Sequence, residues 1–306
     1  MQRPMPTVAL TGASGLVGGI CREHWAREPP AFAAHGGRDA FRLRLLDVAP
    51  LPEPSLRPYE EYHRVDITSL EELTAAFEGC EHVLHLAAYP GAGPGYELGD
   101  TLSPTLLQLN VVGAYNAFEA ARLAGCKRVV FCSSIGAVDG YREVGMVDTK
   151  WDAPVWPTTV YGASKCFGEA LGRVYATNHG MSCVVVRLCN PGFSQGQGRT
   201  ADPKVPGEEA EQTTLEARMA SVPAGEWGDL AQTPQSGMSP RDCAALFASC
   251  LTCSKDRLQR EQPESTPANF AIVNGISEHV VGWLDCEVAK QVVGFVPRDG
   301  TAFPRL

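Results

Sequence analysis

Tyr161 and Lys165 stand four residues apart in Tyr161-Gly162-Ala163-Ser164-Lys165, within a stretch of helical periodicity. Residues at that spacing share a helix face, so a phenol and an ammonium lie side by side. A free phenol ionises near pH 10 and is a poor base at neutral pH. A neighbouring ammonium favours the phenolate, the form that can take a proton from a hydroxyl. Upstream, Ser134 ends the apolar run Val129-Val130-Phe131-Cys132-Ser133-Ser134, where a hydroxyl at a strand end can hold the oxygen that Tyr161 deprotonates. A Tyr and a Lys at this spacing occur by chance in many helices. The pair gains meaning only from what precedes it in the chain.

What precedes it is Thr11-Gly12-Ala13-Ser14-Gly15-Leu16-Val17-Gly18, directly after an apolar run and at the start of a helical pattern. Gly12, Gly15 and Gly18 permit a tight turn, close approach of backbone to a pyrophosphate, and close helix–strand packing. With Ser14, Leu16 and Val17 they offer free N–H groups at the positive end of a helix. Asp47 ends the second strand, where a carboxylate accepts from the adenosine ribose and repels a 2′-phosphate, so NAD is the expected cofactor. Asp47 lies farther from the glycines than is usual, and the Pro/Ala/Gly-rich stretch 29–40 reads as the inserted loop responsible. Asp66 and Ile67, after the third strand, are expected at the adenine. Leu86, Ala87 and Ala88, at and after the end of the fourth, are expected to let backbone approach the cofactor.

The elements that must position these groups alternate. Strands are expected near Val8–Thr11, Leu43–Asp47, Tyr62–Val65, His82–Leu86, Arg128–Cys132 and Ser182–Arg187. Helices are expected at Leu16–Arg27, Leu70–Phe77, Leu106–Ala124 and Val160–Asn178. This is the trace of an α/β, Rossmann-type doubly wound parallel sheet. Near Asn190 the rhythm changes. Residues 195–237 are rich in Gly, Pro, Glu and Gln and read as a substrate cover, with Arg199 a candidate clamp for a substrate carboxylate. A helix then begins near Asp242, read as its N-cap, a strand runs near Phe270–Val273 and a helix over Val280–Val292. The division expected is an NAD-binding domain over 1–190 and a small C-terminal substrate-binding region over 191–306, interleaved with a late strand and helix of the main domain.

The 306 residues carry a formal net charge of -9, which argues against a general nucleic-acid binder. No apolar run is long enough to span a membrane. The 11 cysteines sit singly in apolar contexts, as buried small hydrophobes in a reducing compartment, and an odd count fits a disulfide framework poorly. With no signal-peptide pattern at the N-terminus, the reading is cytoplasmic.

Taken together, TGASGLVG, the HLAA segment, Asn110 in LNVVGAYN, FCSSIGAVDG and YGASKCFGE resemble the extended short-chain dehydrogenase/reductase superfamily (the NAD-dependent epimerase/dehydratase family) over essentially the whole chain. The resemblance implies that Ser134, Tyr161 and Lys165 are catalytic, with Ser133 structural. It implies a structural role for Asn110's position near the cofactor, and places Arg187-Leu188-Cys189-Asn190-Pro191 along the nicotinamide, with Cys189 toward the cofactor and Asn190 toward substrate. Within the superfamily, YGASKCFGEALGRVYA, LLDVAPL and GFVPRDGTAF are similar to uronate dehydrogenases, which oxidise the anomeric carbon of a hexuronic acid with NAD. Ile135 stands where that group has an Asn, and Tyr89–Tyr96 replaces its glycine-and-serine loop. The chemistry therefore carries over better than the substrate: a small carbohydrate, in a homo-oligomeric enzyme.

Two other functions compete. A nucleotide-sugar epimerase with tightly held NAD is favoured by the Arg187–Pro191 run and disfavoured by the segment before Asp242. A non-catalytic dinucleotide sensor would ordinarily have lost the Tyr or the Lys, and both are present. Cys250 and Cys253 have metal-ligand spacing without a second pair, and His82 and His85 lack a carboxylate cluster, so no metal is expected.

Overall fold

The computed structural model describes residues 5–32, 41–51, 56–89, 104–146, 149–191, 237–259, 267–279 and 284–301. Its centre is a seven-stranded parallel sheet in the order β3-β2-β1-β4-β5-β6-β7. The strands are β1 (Thr7–Thr11), β2 (Arg42–Asp47), β3 (Glu60–Arg64), β4 (His82–His85), β5 (Arg128–Ser134), β6 (Ser182–Leu188) and β7 (Phe270–Gly275). Helices α1 (Leu16–Trp25), α2 (Leu70–Phe77), α3 (104–123), α4 (Asp139–Glu143), α5 (Val160–His179), α6 (Pro240–Thr252) and α7 (Lys255–Gln259) complete the main body. A two-stranded sheet pairs β8 (Glu278–His279) with β9 (Gly300–Thr301).

The central strands are buried on both faces, as a parallel sheet covered by helices requires, which is why they read as continuous apolar runs. The chain winds outward from β1 to β2 and β3, then returns to β4 on the other side of β1. This reversal opens a crevice beyond the carboxyl ends of β1 and β4, the place where ligands sit in such sheets. Strands β1, β4 and β5 and helix α5 therefore carry the expected glycine turn, the Ala87–Ala88 loop, Ser134 and Tyr161 to one edge. No helix among the described residues is long and apolar enough to cross a membrane.

Three expectations are corrected. The third strand starts at Glu60, earlier than its apolar residues indicate, because Glu60 is buried as an ion. Arg22 reaches it at 3.0 Å and Arg57 at 3.0 Å, outweighing the burial that would otherwise raise its pKa and holding the carboxyl below its usual range. The N-cap before α6 is Ser239, whose hydroxyl accepts from Asp242 N at 3.1 Å, and Asp242 lies one turn inside. Buried there, Asp242 accepts from Arg298 N, Asp299 N and the Ser277 hydroxyl, which ties the C-terminal segment to α6. The last helix does not run unbroken over Val280–Val292: residues 280–283 lie outside the described residues, and Leu284–Cys286 are not helical. Leu284 bridges to Thr149, and Asp285 Oδ1 accepts from Glu287 N at 2.7 Å, starting a short helix whose final turn, Ala289–Val293, is π-helical.

All eleven cysteines are free thiols, buried except for the half-buried Cys166 and Cys286. Cys253 donates to the Cys250 carbonyl, and burial pushes both thiols up. Among the described residues no group of His, Cys, Asp or Glu has the makings of a metal site.

Candidate active site

The glycine turn is held against the neighbouring strands from below. Gly12 N and Ala13 N both donate to Leu46 O on β2, and Ala87 N donates to the Thr11 hydroxyl. Gly12 has φ +73°, and a Cβ there would come within 2.7 Å of Ala87 N, so any side chain would force apart the turn and the loop after β4. A Cβ on Gly18 would lie 2.5 Å from Gly12 O, which fixes how closely α1 packs on the turn. Helix α1 starts at Leu16 from Gly15, with no side-chain cap and no acid in its first turn. No side chain of the helix's own first turn competes for its first N–H groups, as a phosphate-binding helix start needs.

Asp47 lies beside this turn. Its Oδ2 accepts from Ser14 N at 3.0 Å and its Oδ1 from Ala49 N at 3.0 Å, so the carboxylate is aimed at the glycine loop before any ligand arrives. Asp66 Oδ1 takes both the N–H and the hydroxyl of Thr68, and buried Ile67 packs against the Gly113 position of α3. Leu86, Ala87 and Ala88 are half-buried and follow β4 directly. The turn, the uncapped helix start and the strand-end carboxylate fit a dinucleotide with free ribose hydroxyls.

Ser134, Tyr161 and Lys165 come together beyond β5. Lys165 is buried on α5 and donates to Cys132 O at 2.9 Å, with its Nζ 5.6 Å from the centroid of the Tyr161 ring. That single carbonyl bond leaves two of its three N–H donors for other partners. Ser134 Oγ accepts from Gly136 N at 3.1 Å. Thr159 caps α5 by accepting from Gly162 N, so the Tyr161 backbone sits in the first turn of a fixed helix. Ile135 is buried in a small apolar cluster with Val138, Cys189, Ile276 and Leu284. Asn190 is exposed at the end of β6 with φ 24°, a left-handed conformation that Asn tolerates better than most residues. Arg199 lies outside the described residues, as does most of the proposed cover.

The Asn110 side chain is spent on protein. Its Oδ1 accepts from Tyr89 N at 2.7 Å, and its Nδ2 donates to Tyr89 O and to Ser164 Oγ, which itself donates to Tyr161 O. It stands in a π-helical stretch, Leu107–Val112, that turns it toward both the loop after β4 and the catalytic helix. Arg187 is likewise committed. It is 2% exposed and forms two bonds to Glu169, at 2.9 and 2.8 Å, and one to Trp151 O.

Two further groups support the site: Glu169, which was not singled out from the sequence, and His85, read there only as not being a metal ligand. Glu169, one turn beyond Lys165, joins Arg187 and accepts from the Ser133 hydroxyl at 2.7 Å, locking α5 to the ends of β5 and β6. His85 shares a 2.8 Å hydrogen bond with Thr11 and stacks on Phe131 beneath Lys165. Burial, and then the Lys165 charge, push its pKa down to about 3, so it is neutral. The clue to Glu169 was its place four residues after Lys165, on the same helix face.

A glycine turn, a ribose-facing acid and a Ser–Tyr–Lys group on this sheet define a dinucleotide-dependent enzyme class, and the chain belongs to the NAD dependent epimerase/dehydratase family, whose model matches residues 8–232. The chain is 30% identical to a uronate dehydrogenase of Pseudomonas putida over 60% of its own length and 61% of that protein's. It is 28% identical to the L-arabinose 1-dehydrogenase (NAD(P)(+)) of Haloferax volcanii, over 97% of this chain and 98% of that one. The solved uronate dehydrogenase of Agrobacterium tumefaciens superposes with a TM-score of 0.64 at 25% identity, covering 97% of this chain and 85% of that one.

Proposed function

We propose that the protein is an NAD-dependent oxidoreductase acting on a small sugar or sugar acid, in the manner of the uronate and arabinose dehydrogenases it resembles. The observation that carries this reading is buried Lys165, bonded to Cys132 O two residues before Ser134 and with its Nζ 5.6 Å from the Tyr161 ring centroid. The start of α1 at Leu16, Val17 and Gly18 holds the pyrophosphate, and Gly12, Ser14 and Gly15 shape the turn beneath it, their own N–H groups being taken by Leu46 O, Asp47 Oδ2 and Gly12 O; Asp47 takes the adenosine ribose. Asp66, Ile67 and the Leu86–Ala88 loop flank the adenine side, while Cys189 closes the nicotinamide side. Bound NAD supplies the acceptor for the hydride that leaves the sugar carbon.

Ser134 donates to or accepts from the reacting hydroxyl and fixes its distance from Tyr161. Tyr161 takes the hydroxyl proton. Lys165, fixed by Cys132 O, keeps positive charge beside the phenol and has donors left for a ribose hydroxyl. Asn110 and Glu169 hold the helix that presents the pair. Ile135 and Asn190 line the sugar side, with Arg199 as the clamp on a substrate carboxylate. The same reading makes the protein cytoplasmic and homo-oligomeric, and light scattering on the purified chain tests the second of these.

The experiment is a screen of aldoses, uronic acids and nucleotide sugars with NAD, followed at the NADH absorbance. The reading expects net NADH with a free sugar. An epimerase of the same family would purify with NAD bound and give no net NADH.

A further inference from the structure

Thr11, His85 and Phe131 stand in register across β1, β4 and β5, so their side chains share one face of the sheet. Thr11 Oγ1 and His85 Nδ1 lie 2.8 Å apart, and the His85 ring stacks on Phe131 with centroids 5.8 Å apart at 20°. Of the three, Phe131 meets the catalytic helix. The point where a Cβ on Gly168 would stand is 2.1 Å from Phe131 Cζ, so the far edge of the ring fills the notch that this glycine leaves on α5. Phe118 of α3 packs on the same ring, with centroids 5.8 Å apart. The buried Phe131 ring is therefore held by the sheet below it and by both helices above.

Lys165 Nζ lies over this ring, 5.3 Å from its centroid. At that distance an aromatic face attracts a cation, and the attraction grows where water is excluded. Lys165 is 4% exposed, so its ammonium has exchanged water for protein. Among the described residues it forms no ion pair, and Glu169, one turn on, is taken by Arg187. Its hydrogen bond goes to Cys132 O, the carbonyl next in the chain to Phe131. Two successive residues of β5 thus supply the ammonium with a ring and a carbonyl. His85, on which the ring rests, is neutral, so the row brings no positive charge against the lysine.

We propose that Phe131 is a positioning residue for Lys165: the face of its ring seats the ammonium beside Tyr161 and leaves the remaining N–H donors for NAD. The proposal rests on the reading of Lys165 as partner of Tyr161 and holder of the cofactor, and adds the group that keeps the lysine in place. An aliphatic side chain at 131 fills space but offers the charge no aromatic face.

The test is a double-mutant cycle of Phe131→Leu with Lys165→Met, read by the calorimetric Kd for NAD and by kcat on the sugar found by the screen. Phe131→Leu alone is expected to weaken NAD and to lower kcat, each by about fivefold or more, the size of a desolvated contact between cation and ring. In the Lys165→Met background the same change should move Kd and kcat by less than about twofold, because no ammonium remains to be seated. A ring that served packing alone would show its full effect in both backgrounds. Phe131→Met, more adaptable in shape, replaces Phe131→Leu in the cycle should the latter fail to fold. The Kd cycle decides the role of Phe131: equal factors in both backgrounds, or a wild-type Kd in the single variant, overturn it. A coupled Kd in an enzyme that yields no NADH with any sugar overturns the dehydrogenase reading and leaves the seat of Lys165 standing. No NAD binding by the wild type overturns both.

Discussion

On the proposed reading, Asp47 would discriminate cofactors by charge. Its carboxylate is already oriented toward the glycine turn by Ser14 N and Ala49 N, so a 2′-phosphate would meet it directly. NAD is expected to bind much more tightly than NADP. Asp47→Ala should narrow the difference by weakening NAD and easing NADP, as calorimetry with each nucleotide would show. Equal affinities in the wild type would contradict this. On the same reading, Lys165 would act by its proximity to Tyr161. Lys165→Met removes the ammonium beside Tyr161 and should lower turnover and weaken NAD binding together, as steady-state kinetics and calorimetry would show.

Between elements, the buried Glu169–Arg187 pair with Ser133 is the fastening that joins α5 to β5 and β6. Breaking a buried pair from one side strands a charge at a cost of about 3–5 kcal/mol. Glu169→Gln or Arg187→Met should therefore lower stability by that order in denaturant titration. The double variant Glu169→Met with Arg187→Met should recover much of it. If the single changes cost under about 1 kcal/mol, the pair does not hold these elements. His85 adds a pH dependence. Its folded pKa of about 3 lies below the unfolded value near 6.5, so the unfolded chain takes up the proton first. Stability is then fully present above about pH 6.5 and falls by about 1.4 kcal/mol for each pH unit below that, down toward pH 3. His85→Gln should flatten this loss.

These same groups mark the limit of what the sequence reveals. The glycine turn, Asp47, Ser134, Tyr161 and Lys165 were legible because spacing and element order constrain them together. The sheet was legible because two-sided burial leaves long apolar runs. Glu60, Glu169, Arg187 and Asp242 were not, since a buried charge looks like a surface charge until its partner is located, and each has a partner well removed in sequence: Arg22 for Glu60, Arg187 for Glu169, and Ser277 for Asp242. Asn110 was assigned to the cofactor region by resemblance, but its amide links Tyr89 to Ser164. The start of the last helix was missed because a single side chain, Asp285, sets it.

For the whole molecule, cofactor binding and folding are linked, because the crevice exists only in the folded sheet. NAD at a hundredfold excess over its Kd should stabilise the protein by about 2.7 kcal/mol, visible as a rise in thermal midpoint, with a much smaller rise for NADP at the same concentration. The central claim, that Tyr161 takes the proton of a sugar hydroxyl in an NAD-dependent oxidation, is tested most directly by single-turnover and steady-state NADH formation in Tyr161→Phe. The phenyl ring keeps the packing and removes the phenol oxygen assigned as base. Turnover on the sugar found by the screen is predicted to fall by about 10²–10⁴-fold with NAD affinity nearly unchanged; a Tyr161→Phe enzyme that turns over at close to the wild-type rate would contradict the account.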